Sequence, residues 1–306
     1  MSPLLSIVIV HWNTKKLLEN CLTSIYNAMP SIGMEMFVID NASTDGGSKM
    51  VREMFPDVRL IENRINIGFA KACNQGIQAS SGDYILLLNP DTEIINGALN
   101  AQLEVLETNP VCAAVGPQLI NIDGTYQQSC SPTPTLFREV WRLFHLDTLK
   151  PLSRYPLITW DREQPVKVDV IQGACLMLRS SALQQVGLLD ENFFIYSEEV
   201  DLCYRLGQAG FGLYWVPSAK VIHHGGQSTQ QIAPEMFLQL YKSKHQFFRK
   251  HFGQTTADIY RFILGISALA RIVVGQILSR IHTRYSDKYR TIVSRYTALL
   301  YTLPLL

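Results

Sequence analysis

Met36-Phe-Val-Ile-Asp40, running directly into Asn41-Ala-Ser-Thr-Asp-Gly-Gly47, is the stretch that decides the fold. Its first half is a short apolar run of the kind buried on both faces of a sheet. The run ends on a carboxylate, and the residues after it are dense in turn and capping types. The same alternation continues on both sides. Upstream, Ser6-Ile-Val-Ile-Val10 is a continuous β-branched run, and Thr14 opens a helical stretch with Leu17, Leu18, Cys21, Leu22 and Ile25 on one stripe. Downstream, the pattern predicts a helix over 48–55, a strand over 58–62 and a helix over 68–79 closed by Ser81-Gly82. The strand Tyr84-Ile-Leu-Leu-Leu88 follows, cut off by Asn89-Pro90. Strands separated by helices imply an α/β fold, a Rossmann-like, mostly parallel sheet flanked by helices. Ligands of such sheets bind outside the carboxyl ends of the strands. Asp40, Asp45 and Asp91 all fall at such positions.

Beyond Gln118 the pattern weakens up to Lys167, with prolines at 132, 134, 151, 156 and 165, which suggests a long, partly irregular insertion over the site. Order returns at Val168-Asp-Val-Ile-Gln-Gly-Ala-Cys-Leu-Met-Leu178, whose central glycine predicts a kink or a close backbone approach. A further helix–strand unit ends at Val221-Ile-His-His-Gly-Gly226. The final residues differ in character. Apolar residues at 259, 262, 263, 266, 269, 270, 273, 274, 277, 278 and 281 predict a sustained amphipathic helix, and Arg261, Arg271, Arg280, Arg284, Lys288, Arg290 and Arg295 make this end basic. Arg271 interrupts it too much for a confident transmembrane span. The expected organisation is a catalytic domain over 1–230, in halves 1–117 and 118–230, and a helical, basic extension over 231–306.

The 306 residues suffice for a large core, and the formal net charge of +1 gives no global field for nucleic acid. The six cysteines are scattered without a CxxC pair, which reads as buried free thiols of a reducing compartment. Leu4 to Val10 has no basic residues before it and reads as a strand rather than a signal peptide, so the chain is expected in the cytoplasm.

Three acids stand together in Phe193-Phe-Ile-Tyr-Ser-Glu-Glu-Val-Asp-Leu-Cys-Tyr-Arg205. Carboxylates crowded beside apolar groups acquire raised pKa values, the tuning a general base needs. The simpler reading is an acidic helix N-terminus with Asp201 and Arg205 as an i,i+4 pair. The phosphate fingerprints GxGxxG and GxxxxGK[ST] are both absent, which argues against a dinucleotide dehydrogenase or a P-loop enzyme. Acids at strand ends suit instead a nucleotide whose diphosphate is carried by a divalent cation. Asp91 is placed to hold that cation and Asp40 to accept a hydrogen bond from a base or ribose. Two histidines before Gly-Gly add a candidate ligand, of which His223 is favoured over His224. The simpler reading of each acid, Asp45 included, is a cap or turn residue.

The blocks Ser6–Asn13, Val38–Asp45, Asn66-Ile-Gly-Phe-Ala70 with Asn74 and Gly76, Leu88-Asn-Pro-Asp91, Gly173–Leu178, Glu198–Cys203 and His223-His-Gly-Gly226 with Ser228 run in one order along the chain. In that order they resemble the inverting glycosyltransferases of family 2, with the GT-A fold, and within them the rhamnosyltransferase-like branch of bacterial surface polysaccharide synthesis. The resemblance implies that Asp40 contacts the nucleobase, with Val10 and Asn13 lining the same pocket. It puts Asn66 and Asn74 near the ribose and diphosphate, with Asn41, Ser43, Asp45, Gly68 and Asn89 in the donor-binding set. It further implies Asp91 and His223 as ligands of Mg2+ or Mn2+ and Glu199 as catalytic base, with Glu198 the alternative. Two departures stand out. Asn89 replaces the first Asp of the family's Asp-x-Asp motif, and Glu199 occupies a base position usually held by Asp.

The resemblance further implies dTDP-L-rhamnose as the nucleoside diphosphate sugar and a lipid-linked oligosaccharide as acceptor, at the inner face of the cell membrane. The basic helical end then has three readings, a helical hairpin packed on the catalytic domain, a homo-oligomer through 257–306, or a peripheral contact with anionic lipid. A competing function is a non-catalytic sugar-nucleotide-binding subunit of a polysaccharide assembly complex. A nucleotidyltransferase would need a basic, glycine-rich N-terminal loop, which His11-Trp-Asn13 does not offer.

Overall fold

The computed structural model describes residues 4–28, 32–161, 163–226, 231–281 and 286–305. Ser228 and Arg284, named above, lie outside these. The chain divides into two compact units, Met1–Thr133 with Arg154–Ser228, and Pro134–Ser153 with Thr229–Leu306.

The first unit begins with β1 (Leu4–His11), α1 (Lys15–Ala28), β2 (Gly33–Asp40), α2 (Gly47–Met54), β3 (Arg59–Glu62), α3 (Phe69–Ala79) and β4 (Tyr84–Leu88). Then come β5 (Thr92–Ile94), α4 (Ala98–Thr108), β6 (Cys112–Ile120) and β7 (Cys130–Ser131). In the second unit α5 spans Leu136–Leu143, after which the first unit resumes with β8 (Val166–Val168), β9 (Val170–Ile171), β10 (Cys175–Arg179), α6 (Ser180–Val186), α7 (Glu198–Gln208) and β11 (Gly212–His223). Among the described residues, one nine-stranded sheet forms in the order β3-β2-β1-β4-β10-β6-β11-β5, with β8 beside β11. β1 runs parallel to β2 and β4, β2 to β3, and β6 to β11, whereas β5, β8 and β10 pair antiparallel with their neighbours.

Alternation along β1 shows why the sheet is covered on both faces. Leu5, Ile7 and Ile9 enter one core with the buried stripes of α1, α2 and α4. Val8 and Val10 enter the other with α3, α6 and α7. A strand's period of two sends successive residues to opposite faces, so an unbroken apolar run serves both layers. All six cysteines are free and buried in the structure; burial pushes the Cys21 thiol up to about 12.

Register brings the chemistry to one edge. His11 lies opposite Asp40 across β1 and β2, Ile9 opposite Leu88 across β1 and β4, and Cys175 opposite Leu88 across β10 and β4. The carboxyl ends of β1, β2 and β4 therefore share an edge with the start of β10. β6 runs antiparallel to β10 and parallel to β11, so both of their carboxyl ends reach that edge too.

The stretch from 118 to 167 is not one irregular insertion. It begins as the end of β6, returns through β7, then leaves the first unit for α5, and two short 3-10 turns precede β8. Proline-rich connections hid α5, whose N-cap is Thr135 accepting from Arg138 N. In the second unit α5 is joined by α8 (Ala233–Phe252), α9 (Gln254–Ile281) and α10 (Ser286–Thr302). Their core holds Leu143, Tyr241, Phe248, Tyr260, Leu264 and Leu299. Buried Glu139 is paired with Lys244 at 2.8 Å and Arg142 at 2.6 Å. Burial alone would raise its pKa, but the two cations hold it down at about 2. Arg271, which interrupts the apolar run of α9, turns inward to the carbonyl of Leu143 and lies 5.0 Å above the Tyr296 ring. The outer side of α9 keeps Ile259, Phe262, Ile266, Leu269, Val273, Ile277 and Ile281 exposed. By length and composition (mean hydropathy 1.9 over its most apolar 18 residues) α9 could cross a bilayer.

Candidate active site

At the sheet edge, the loop after β2 is organised by Asp40. This buried carboxylate accepts from the backbone N–H of Ser43 at 2.9 Å and from the hydroxyl of Ser48. Asn13 faces it from the end of β1 in a left-handed conformation (φ 51°), donating its N–H to Ser43 Oγ and accepting from Thr44 N at 2.8 Å. Val10, near the end of β1, is buried. Asp45 does a different job: its carboxylate accepts from Lys15 N at 2.6 Å and Gly47 N at 3.0 Å and stands 3.3 Å from the buried His11 ring. Burial works to raise the Asp45 pKa, yet these donors hold it below the ordinary value. Asp45 thus caps the start of α1 and fixes His11.

Asn41 is buried and organises the next loop, donating to Asn66 Oδ1 at 2.8 Å and to Gly68 O, and accepting from Ile67 N at 3.0 Å. Asn66 in turn accepts from Gly68 N. Gly68 sits at φ 87°, with the carbonyl oxygen of Phe194 only 2.7 Å from where a Cβ would be. Asn74, on α3, is directed to Leu189 rather than to the edge: it donates to Leu189 O at 2.9 Å and accepts from Leu189 N at 3.2 Å. These contacts bind the donor-side loops to the segment that leads into the three acids.

That segment ends in two consecutive left-handed residues, Tyr196 and Ser197, each at φ 67°. Non-glycine residues in this region store strain of about 1–3 kcal/mol each and collect at functional sites. The strained turn delivers the first turn of α7, where the acids separate. Asp201 is fully buried and bonds Arg205 Nε at 2.8 Å, while the guanidinium reaches on to the carbonyls of Val186, Gly187 and Leu188. Glu198 is buried with its Oε2 unbonded, and burial, then the neighbouring Glu199, push its pKa well above the ordinary carboxylate range. Glu199 is only partly buried and its side chain lies against Gly173, 3.5 Å from a built Cβ there. Gly173 thus lies in ordinary van der Waals reach of the second glutamate's side chain.

Asn89 leaves β4 with its N–H on Ala174 O at 2.9 Å and its carbonyl accepting from Thr92 Oγ1. Asp91 follows, buried, with His223 Nε2 3.5 Å from its Oδ1. His224 turns away to Glu93 Oε1 at 2.8 Å. The Nε2 atom of His223 is buried and makes no hydrogen bond, and its Nδ1 is 2.9 Å from Gln127 Oε1. A carboxylate and an imidazole nitrogen aimed at one another fit a cation held by few protein ligands, with phosphate and water completing the shell. No group of three or more such side chains forms among the described residues. Gln127 was not legible beforehand, because nothing in Asp123-Gly-Thr-Tyr-Gln127 beyond a turn signal ties it to a residue 96 positions away.

The mixed, mostly parallel sheet with helices on both faces and acids along one edge has the architecture of the GT-A fold. The chain belongs to glycosyl transferase family 2, whose family model matches residues 6–187; that of glycosyl transferase family group 2 matches residues 155–306. It is 31% identical over 303 residues, 93% of this chain and 97% of the relative, to an N-acetylglucosaminyl-diphospho-decaprenol L-rhamnosyltransferase of Mycobacterium tuberculosis. A low-salt glycan biosynthesis hexosyltransferase of Haloferax volcanii is 27% identical over 244 residues, covering 78% of this chain and 72% of that one. Among solved structures, a mannosyltransferase from Pyrobaculum calidifontis in complex with GDP-Man and Mn2+ superposes with a TM-score of 0.60 at 17% identity, covering 100% of this chain and 87% of that chain.

Proposed function

We propose that this glycosyltransferase moves L-rhamnose, with inversion, from dTDP-L-rhamnose to a hydroxyl of a lipid-linked oligosaccharide on the cytoplasmic side of the membrane. The observation that carries the chemistry is the separation of the two glutamates by environment. Glu198 is buried and its pKa is raised by that burial, whereas Glu199 is only partly buried and lies beside Gly173, within reach of an acceptor. Glu199 deprotonates the acceptor hydroxyl, which attacks the anomeric carbon from the side opposite the nucleotide. Asp40, Asn13 and Ser43 form the nucleoside wall, and Asn41, Asn66 and Gly68 shape the loop beside it. Asp91 and His223 would hold Mg2+ or Mn2+, which offsets negative charge on the departing diphosphate.

L-rhamnose and a lipid-diphosphate-linked acceptor are in the name of the mycobacterial relative, which matches this chain nearly end to end, and the dTDP carrier follows from the rhamnosyltransferase resemblance. A lipid-borne acceptor gives the exposed apolar stripe of α9 and the basic residues Arg280, Lys288, Arg290 and Arg295 a common purpose, contact with an anionic bilayer. The test is transfer of radiolabelled sugar from a panel of nucleotide sugars to N-acetylglucosaminyl-diphospho-polyprenol. Turnover with dTDP-L-rhamnose above all others supports the proposal; turnover with a different donor refutes the donor assignment. Donor binding without transfer to any acceptor would favour a sugar-nucleotide-binding subunit. Flotation with anionic vesicles checks the membrane contact, which fails if full-length protein stays unbound.

A further inference from the structure

The histidine beside Asp91 is held by an amide whose orientation can be read from its neighbours. Gln127 Nε2 lies 2.6 Å from the main-chain oxygen of His223 and 2.6 Å from Asn121 Oδ1. A main-chain carbonyl can only accept, so the nitrogen of the amide must face it. That places Oε1 toward His223, 2.9 Å from Nδ1. An amide oxygen can only accept as well, so Nδ1 carries a proton. In the neutral ring the lone pair then belongs to Nε2, the buried atom without a hydrogen bond, 3.5 Å from Asp91 Oδ1.

The amide is itself well braced. Gln127 N donates to Leu119 O at 2.9 Å, and Gln118 Nε2 donates to Gln127 O. Asn121 is fixed by Thr125 through Asn121 N to Thr125 O at 2.7 Å and Asn121 Nδ2 to Thr125 Oγ1 at 2.8 Å. Asp123 closes the turn by accepting from both the N–H and the hydroxyl of Thr125. A chain of oriented groups thus runs from the turn at 121–125 to the ring at 223.

We propose that Gln127 is a positioning residue that locks His223 as its Nδ1–H tautomer and turns the bare Nε2 toward Asp91, presetting the pair for a divalent cation. This rests on the reading of Asp91 and His223 as the cation pair. Side chains that orient a ligating histidine in this way contribute about 10–100-fold to metal affinity.

Two measurements on the full chain test it. Long-range 1H–15N correlation on histidine-labelled, metal-free protein, at a pH well above the ordinary histidine range, reads the tautomer directly. The Nδ1–H form is expected in the wild type and lost in Gln127→Met; an Nε2–H ring in the wild type overturns the proposal. Manganese binding, alone and with dTDP, is then followed by electron paramagnetic resonance. Gln127→Met should weaken it about 10–100-fold, Gln127→Glu should retain part of the affinity, and Gln127→Met added to His223→Ala should cost nothing more. If His223→Ala weakens manganese binding and Gln127→Met does not, the positioning role falls while the cation pair stands. If His223→Ala and Asp91→Asn both bind manganese as the wild type does, the cation reading falls, and with it the presetting role, whatever the tautomer.

Discussion

Asn74 pairs with both backbone groups of Leu189, 115 residues away, and so ties α3 to the approach to the acids. Asn74→Ala would strip the partners from a buried N–H and C=O, a loss of about 2–3 kcal/mol in chemical denaturation. The KM for donor should hardly change. A raised KM at unchanged stability would instead make Asn74 a donor contact.

The two glutamates should differ sharply. Glu199→Gln removes the proposed proton acceptor and should lower kcat by about 10²–10⁴-fold. Glu198→Gln keeps a similarly shaped side chain in its buried place and should cost far less. Reversal of that order in single-turnover transfer would move the base to Glu198.

Stability should fall with rising pH because of Glu198. Its folded pKa lies above its unfolded value, so the folded state binds more protons between the two. Its burial costs least below the ordinary carboxylate pKa, and the penalty grows until pH passes the raised folded value. Thermal melts of the wild type and Glu198→Gln should diverge across that window, with Glu198→Gln the flatter. Each kcal/mol corresponds to about 2–4 °C for chains of this size. Parallel melting curves would contradict the assignment.

Gly68→Ala should be poorly tolerated for two separate reasons. Its φ of 87° strains any side chain, and the new methyl would meet Phe194 O at 2.7 Å. A cost of about 1–3 kcal/mol is expected, together with lower turnover as the Phe194 loop shifts. Unchanged melting and kinetics would show that the loop yields freely.

Sequence patterning located most of the sheet, because fully buried strands such as β1 and β4 are unbroken apolar runs whose signal is local. The family was also legible, from blocks that follow one another in a fixed order along the chain. What escaped depends on pairings distant in sequence. Gln127 meets His223, Asn74 meets Leu189 and Gly68 meets Phe194 across separations that no periodicity encodes. α5 was hidden for a different reason: its eight residues lie among prolines, too short a run for helical spacing to stand out.

The route of the chain between the two units also governs how it leaves the ribosome. Glu139 and Leu143 of α5 emerge long before their partners, Lys244 and Arg271, which follow 105 and 128 residues later. At about 5–20 residues per second, α5 waits roughly 5–25 s for them during synthesis. The sheet waits too, since β11 must enter between β6 and β5. A translation pause before residue 244 would therefore prolong the exposure of a nascent apolar helix, and slow codons there should lower the yield of folded protein.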